Sequence, residues 1–127
     1  MIDRQKPPAI RVLMLPRDTN AWGTIFGGVI LSYIDQAGAV EAVDYGCTHV
    51  VTVAMDKVEF HQPVQVGDLV SFYTSLERVG RTSIAVKVVV EAQRRLVPSE
   101  RVIVTEASVT YVNVDADGRP TPIAVKS

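Results

Sequence analysis

The chain has 127 residues, 47% of them hydrophobic and 21% charged, with a formal net charge of −1. That length suits one domain and not two, and the near-neutral balance speaks against a dedicated nucleic-acid binder. Cys47 is the sole cysteine, so an internal disulfide is excluded, and no stretch approaches the ~18 uninterrupted apolar residues of a membrane helix. The start, MIDRQKPPAI, lacks the apolar core of a signal peptide. A cytoplasmic protein without nucleic-acid or membrane partners is expected.

Residues 1–127 read as a single domain. Residues 1–9 are polar and carry Pro7 and Pro8, which predicts a loose N-terminal arm. IRVLML, residues 10–15, reads as a short strand. Pro16 to Phe26 is a loop rich in turn formers, and Gly28 to Tyr45 is the one long helix, with Gly46 as its stop. Thr24 is among the residues available to cap its start. The helix is apolar over most of its circumference, which predicts deep burial.

Beyond Gly46 the apolar period changes to two. Strands are expected at Val50–Phe60, Val70–Arg78, Ser83–Ala92 and Val102–Val114, broken by Pro63, Gly67-Asp68, Gly80 and QRRLVPSE. Val70, Phe72, Thr74 and Leu76 share one face, as do Ile84, Val86, Val88 and Val90. Short links predict antiparallel hairpins, and one helix can bury its apolar surface only if the sheet curls around it.

Asp35 breaks the helical pattern. At about 100° per residue its neighbours are Leu31, Ser32, Gly38, Ala39, Ala42 and Gly46, all small or apolar. Glu41 and Asp44 fall elsewhere on the wheel and are expected to form a separate wet edge. A carboxylate in an apolar setting costs several kcal/mol unless it is paired or hydrated. It is therefore either a structural anchor or a chemical group. The loop before it ends in Gly27-Gly28, where unbonded helix amides and missing side chains suit a developing oxyanion. The same pair also reads as ordinary turn glycines.

The segment DTNAWGTIFGGVILSYID, residues 18–35, resembles the signature of hotdog-fold acyl-CoA thioesterases. That signature is N-x-x-G-x-x-(H or F)-G-G, with an Asp seven residues after the second glycine. VVTVAMDKVEF, HQPVQVGD and RVGRTSIAVKV extend the similarity, which is greatest to the YciA and brain acyl-CoA hydrolase branch. The resemblance implies an α+β hotdog domain, one long central helix wrapped by a curved antiparallel sheet of about five strands. It also implies hydrolysis of acyl-CoA to free acid and CoA. Asp35 would be general base or nucleophile, the Gly27 amide the oxyanion donor, and Asn20 a polar residue orienting water or substrate. Phe26 and Gly28 would lie beside the substrate, and Arg81, Thr82 and Ser83 near the bound CoA. Phe26 stands where many members have His, which removes one polar contact. No metal or cofactor is implied, CoA being part of the substrate. The site would lie between two subunits of a homodimer, assembled as a trimer of dimers.

Other residues carry weaker signals. Arg78, Arg81, Arg94 and Arg95 lie near turns, where they either meet CoA phosphates or form a solvated edge. Trp22 reads as loop packing, His49 and His61 as ordinary surface residues, and Cys47 as a small buried residue. A hydratase or dehydratase acting on an acyl thioester, and a non-catalytic acyl-CoA-binding protein, are the competing functions. The first would ordinarily need a histidine in the loop or helix, where none occurs.

Overall fold

The computed structural model describes residues 2–124. Strand β1 (Ile10–Leu13) precedes helix α1 (Gly27–Tyr45), and strands β2 (Val50–Phe60), β3 (Leu69–Val79), β4 (Ser83–Gln93) and β5 (Arg101–Asn113) follow it. All five strands form one antiparallel sheet in the order β1-β3-β4-β5-β2. The short links at Gly80 and around Pro98 make the expected hairpins. The β2–β3 link does not. It carries the chain to the far side of the sheet, so β2 pairs with β5 and becomes an edge. Residues 61–68 are anchored on the way: Val64 is buried, and its carbonyl accepts the Ile25 amide at 2.9 Å.

The sheet's inner face is built from the alternating positions read above. Val70, Phe72, Ile84, Val86, Val88, Val90, Val109 and Tyr111 are all essentially inaccessible. They pack on Ile30, Ile34, Ala37 and Ala42 of α1. Each large aliphatic group so buried contributes about 1.5–3 kcal/mol, which compensates the poor intrinsic helicity of a segment with three glycines. Gly46, at φ 141°, ends the helix in a conformation suited to glycine, its amide bonding the carbonyls of Ala42 and Val43.

The helix is buried on one side only. Val40 and Val43 are about half exposed, and so are Val53 and Phe60 on the edge strand. Glu41, expected on a wet edge, is buried instead. Its carboxylate accepts from the Lys6 ammonium and from Thr74 Oγ1 at 2.7 Å. Both partners lie far away in sequence, so no helical wheel could display them. The segment read as a loose arm carries Lys6, and also Arg4, whose guanidinium pairs with Glu91. The Ala9 amide continues the β1 pairing onto Phe72. Met1 lies outside the described residues.

Candidate active site

β2 departs from regular pairing directly beneath the middle of α1. Thr52 pairs with Tyr111 and Ala54 with Thr110, which leaves Val53 as an extra residue. Such a bulge shifts the alternation by one, so Thr52 and Met55 can both face the helix. Thr52 Oγ1 donates to Asp35 Oδ1 at 2.6 Å. Opposite, the Tyr111 hydroxyl donates to the Asp35 backbone carbonyl, also at 2.6 Å. Burial raises the Tyr111 phenol well above its ordinary value, and the nearby Asp35 charge adds to this, so it is a fixed donor. Gly38 makes the approach possible, because a Cβ there would fall on the Tyr111 hydroxyl. Asp35 is thus held by its side chain from β2 and by its backbone from β5. It is half-buried, and Oδ2 has no partner among the described residues.

The loop before α1 is organised by Asn20. Its Oδ1 accepts the amides of Trp22 (2.8 Å) and Thr24 (3.2 Å), and its Nδ2 donates to Thr24 Oγ1 at 2.9 Å. Thr24 therefore closes the loop and does not cap the helix, which starts at Phe26 without a side-chain cap. The Phe26 amide bonds the Asp18 carbonyl at 3.0 Å, which fixes the entry to the helix. The Gly27 and Gly28 amides have no acceptor among the described residues. Phe60 edges against Gly27, whose Cβ would sit 3.4 Å from the ring, while Gly28 is open. Phe26 is half exposed. Trp22, expected to pack the loop, is 89% exposed at its tip.

Asp35 and Gly27 do not meet within one chain. They are eight residues apart on a continuous helix, a rise of about 12 Å. An oxyanion donor must lie within about 3 Å of the carbonyl oxygen, and the carboxylate within about 3 Å of the carbonyl carbon, or about 6 Å if it acts through one water, a combined span still short of that rise. The Arg81–Ser83 turn sits at the other end of the sheet, where Ser83 pairs with Val112 and Val112 with Val51. Backbone bonds hold it, Asn113 N–H to Thr82 O at 2.8 Å and Ile123 N–H to Arg81 O at 2.9 Å, and the Arg81 side chain is exposed. One protomer thus groups Asp35, Thr52 and Tyr111, with the Arg81 turn one register step beyond, and leaves Asn20, Phe26, Gly27 and Gly28 at the far end of the helix.

The remaining basic and polar residues separate clearly. Arg94 donates to Asp68 at 2.5 Å, with the carboxylate fully buried and the guanidinium nearly so. It is a structural pair that closes the β2–β3 link. Arg95 lies along Gly67. His61 pairs with Glu106 at 2.9 Å on the outer face of the sheet, close to Glu59. Cys47 is buried, and that burial raises its thiol. Thr52 and Tyr111 gave no signal in the sequence. Only the pairing of β2 with β5 reveals them. Among the described residues no helix is long and apolar enough to cross a membrane.

Residues 23–99 match the family model described as Thioesterase superfamily. The acyl-CoA thioester hydrolase YciA of Salmonella typhimurium is 41% identical over 121 residues, 92% of this chain and 90% of that protein. A hexameric hotdog fold thioesterase of Campylobacter jejuni superposes with a TM-score of 0.90 at 45% identity, covering 96% of this chain and 93% of that one. A hexameric broad specificity acyl-coenzyme A thioesterase, solved as a mutant with alanine in place of an aspartate, superposes at 0.88 with 41% identity. That match covers 92% of this chain and 86% of the other.

Proposed function

Since the chain belongs to the thioesterase superfamily and has its hotdog fold, we propose that it hydrolyses acyl-CoA to free acid and CoA at sites shared between two copies. Asp35 of one copy works on a thioester whose oxygen is held by the Gly27 amide of the other. The observation that carries this reading is the 12 Å rise between Asp35 and Gly27, which is too far for one chain to use both. β2 supports it as an 11-residue edge strand with exposed Val51, Val53 and Phe60, beside exposed Val40 and Val43 of α1. Such an edge invites pairing with a second chain. Two-fold pairing there would run the two helices side by side in opposite directions and bring each Asp35 toward the other chain's loop. The hexameric relatives support a trimer of such dimers.

The chemistry asks little more of the protein. Oδ2 of Asp35, with Oδ1 occupied by Thr52, is free to take a proton from water or to attack the carbonyl itself. The Gly27 amide stabilises the tetrahedral oxyanion, a contribution of about 3 kcal/mol for one donor. The leaving thiol, with a pKa near 8.5, departs without strong acid assistance. Asn20 shapes the loop that aims Gly27, since its side chain is spent on Trp22 and Thr24. Phe26 and Gly28 border the acyl group. Arg81, Thr82 and Ser83 take the CoA moiety, with Arg81 exposed for phosphate contact. The reaction as drawn calls on no metal or cofactor.

Thiol release from a panel of acyl-CoAs tests the reading. Turnover is expected, and Asp35→Asn should remove most of it while the protein keeps its fold and assembly. A hydratase would consume an enoyl-CoA without releasing thiol, and a binding protein would retain acyl-CoA unchanged. Either result would replace the proposal.

A further inference from the structure

Thr105 of β5 stands apart from the other buried polar residues. Thr74 bonds Glu41, Ser108 bonds Glu77, and Asn113 receives the amides of Thr48 and His49. Thr105 is 1% exposed, and its Oγ1 is the only buried side-chain polar atom without a hydrogen-bond partner among the described residues. Buried hydroxyls ordinarily have one.

Thr105 lines an open recess of about 250 Å³ beside the start of α1. Ile25, Ile30, Phe60 and Val64 give it mostly apolar walls, His61 and Gln62 add polar groups, and Gly27 is also part of the lining. Gly27, the residue proposed to hold the thioester oxygen, and Thr105 therefore line the same small space. This recess is within reach of an acyl chain whose carbonyl sits at Gly27. An apolar chain filling this recess offers Thr105 no partner, whereas a chain carrying an oxygen there does.

We propose that this recess is an acyl-recognition site in which Thr105 selects short acyl groups bearing a hydrogen-bonding oxygen near the carbonyl, 3-hydroxyacyl-CoA being the chemical class. The inference rests on the thioesterase reading and deepens it. A hydroxyl both gives and takes a hydrogen bond, so it matches a substrate hydroxyl in either sense. An unsubstituted chain of the same length leaves Thr105 buried and unpaired. That is the situation in which a polar site discriminates most strongly against an apolar analogue.

The test is kcat/KM for racemic 3-hydroxybutyryl-CoA against butyryl-CoA, with the wild-type protein, Thr105→Val and Thr105→Ser. The wild type should favour the hydroxylated ester by about tenfold or more. Thr105→Val, of the same shape, should bring the ratio to about one by losing turnover of the hydroxylated ester. Its retained or increased turnover of butyryl-CoA shows that the variant is folded. Thr105→Ser should keep the preference. If both esters are hydrolysed in a ratio that Thr105→Val leaves unchanged, the hydrolase reading stands and the inference about Thr105 falls. If no ester of any kind releases thiol, the hydrolase reading itself fails and takes the inference with it.

Discussion

Thr52 Oγ1 donates a 2.6 Å hydrogen bond to Oδ1 of Asp35 from 17 residues further along the chain. The bond fixes one carboxylate oxygen and leaves the other to face the neighbouring space. A hydrogen bond to a charged group is worth about 1.5–3 kcal/mol, so its loss should be visible in turnover. Thr52→Val is expected to lower kcat by roughly tenfold or more with little change in KM. Thr52→Ser should recover most of the rate. Steady-state kinetics on a single acyl-CoA separate the two variants.

The Tyr111 hydroxyl holds the Asp35 carbonyl and occupies the space that a Gly38 side chain would need. Gly38→Ala should therefore destabilise the fold by about 1–3 kcal/mol through overpacking. Tyr111→Phe removes the hydroxyl and relieves part of that clash. Urea denaturation of both single variants and the double variant should show that their effects are less than additive.

Arg94 is a structural residue. Its ion pair with Asp68 is almost wholly removed from water, and losing one partner strands the other. Arg94→Ala should cost about 3–5 kcal/mol in denaturation experiments. At a temperature where the variant is folded, KM for acyl-CoA should be unchanged. A large rise in KM would instead place Arg94 on the CoA phosphates.

Glu41 links stability to pH. Burial pushes its carboxyl up, but the bonds from Lys6 and Thr74 outweigh this and hold it below its ordinary value of 4.5. A carboxyl with a lowered pKa in the folded state contributes stability that is fully present above about pH 4.5. That contribution is lost as pH falls through the folded-state value. Denaturation midpoints measured from pH 6 to pH 3 should fall with acidification, and less steeply in Lys6→Met. Equal slopes in both proteins would show that the Lys6 bond does not set the Glu41 titration.

Much of the fold was legible because it rests on local periodicity. The shift from a 3.6-residue to a two-residue period after Gly46 marked α1 and the strands to within about two residues. Alternation placed Phe72 and Val86 on the buried face. What was not legible depends on partners distant in sequence. Short links suggested a hairpin between β2 and β3, yet the connection is spent on crossing the sheet, which leaves β2 at an edge. Glu41 looked solvated because Lys6 and Thr74 are invisible on a helical wheel. Trp22 looked like packing, but the bonds of Asn20 hold the loop without it. Asp35 was visible as a single polar residue among small ones. Thr52 was not, because a bulge at Val53, unmarked by glycine or proline, turns it toward the helix.

Subunit complementation shows whether Asp35 of one chain and Gly27 of another make one site. Asp35→Asn removes the carboxylate. Gly27→Pro removes the amide at the first helical position, where proline is tolerated and where Phe26, at ψ 134°, already has the extended geometry that proline requires of its predecessor. Each variant alone should be nearly inactive. Co-refolded in equal amounts, half of the dimers are mixed, and each mixed dimer holds one site with both Asp35 and Gly27 intact. Thiol release should then recover to about a quarter of the wild-type rate. Mixtures no more active than the separate variants would mean that the two groups do not meet across an interface, and would contradict the account.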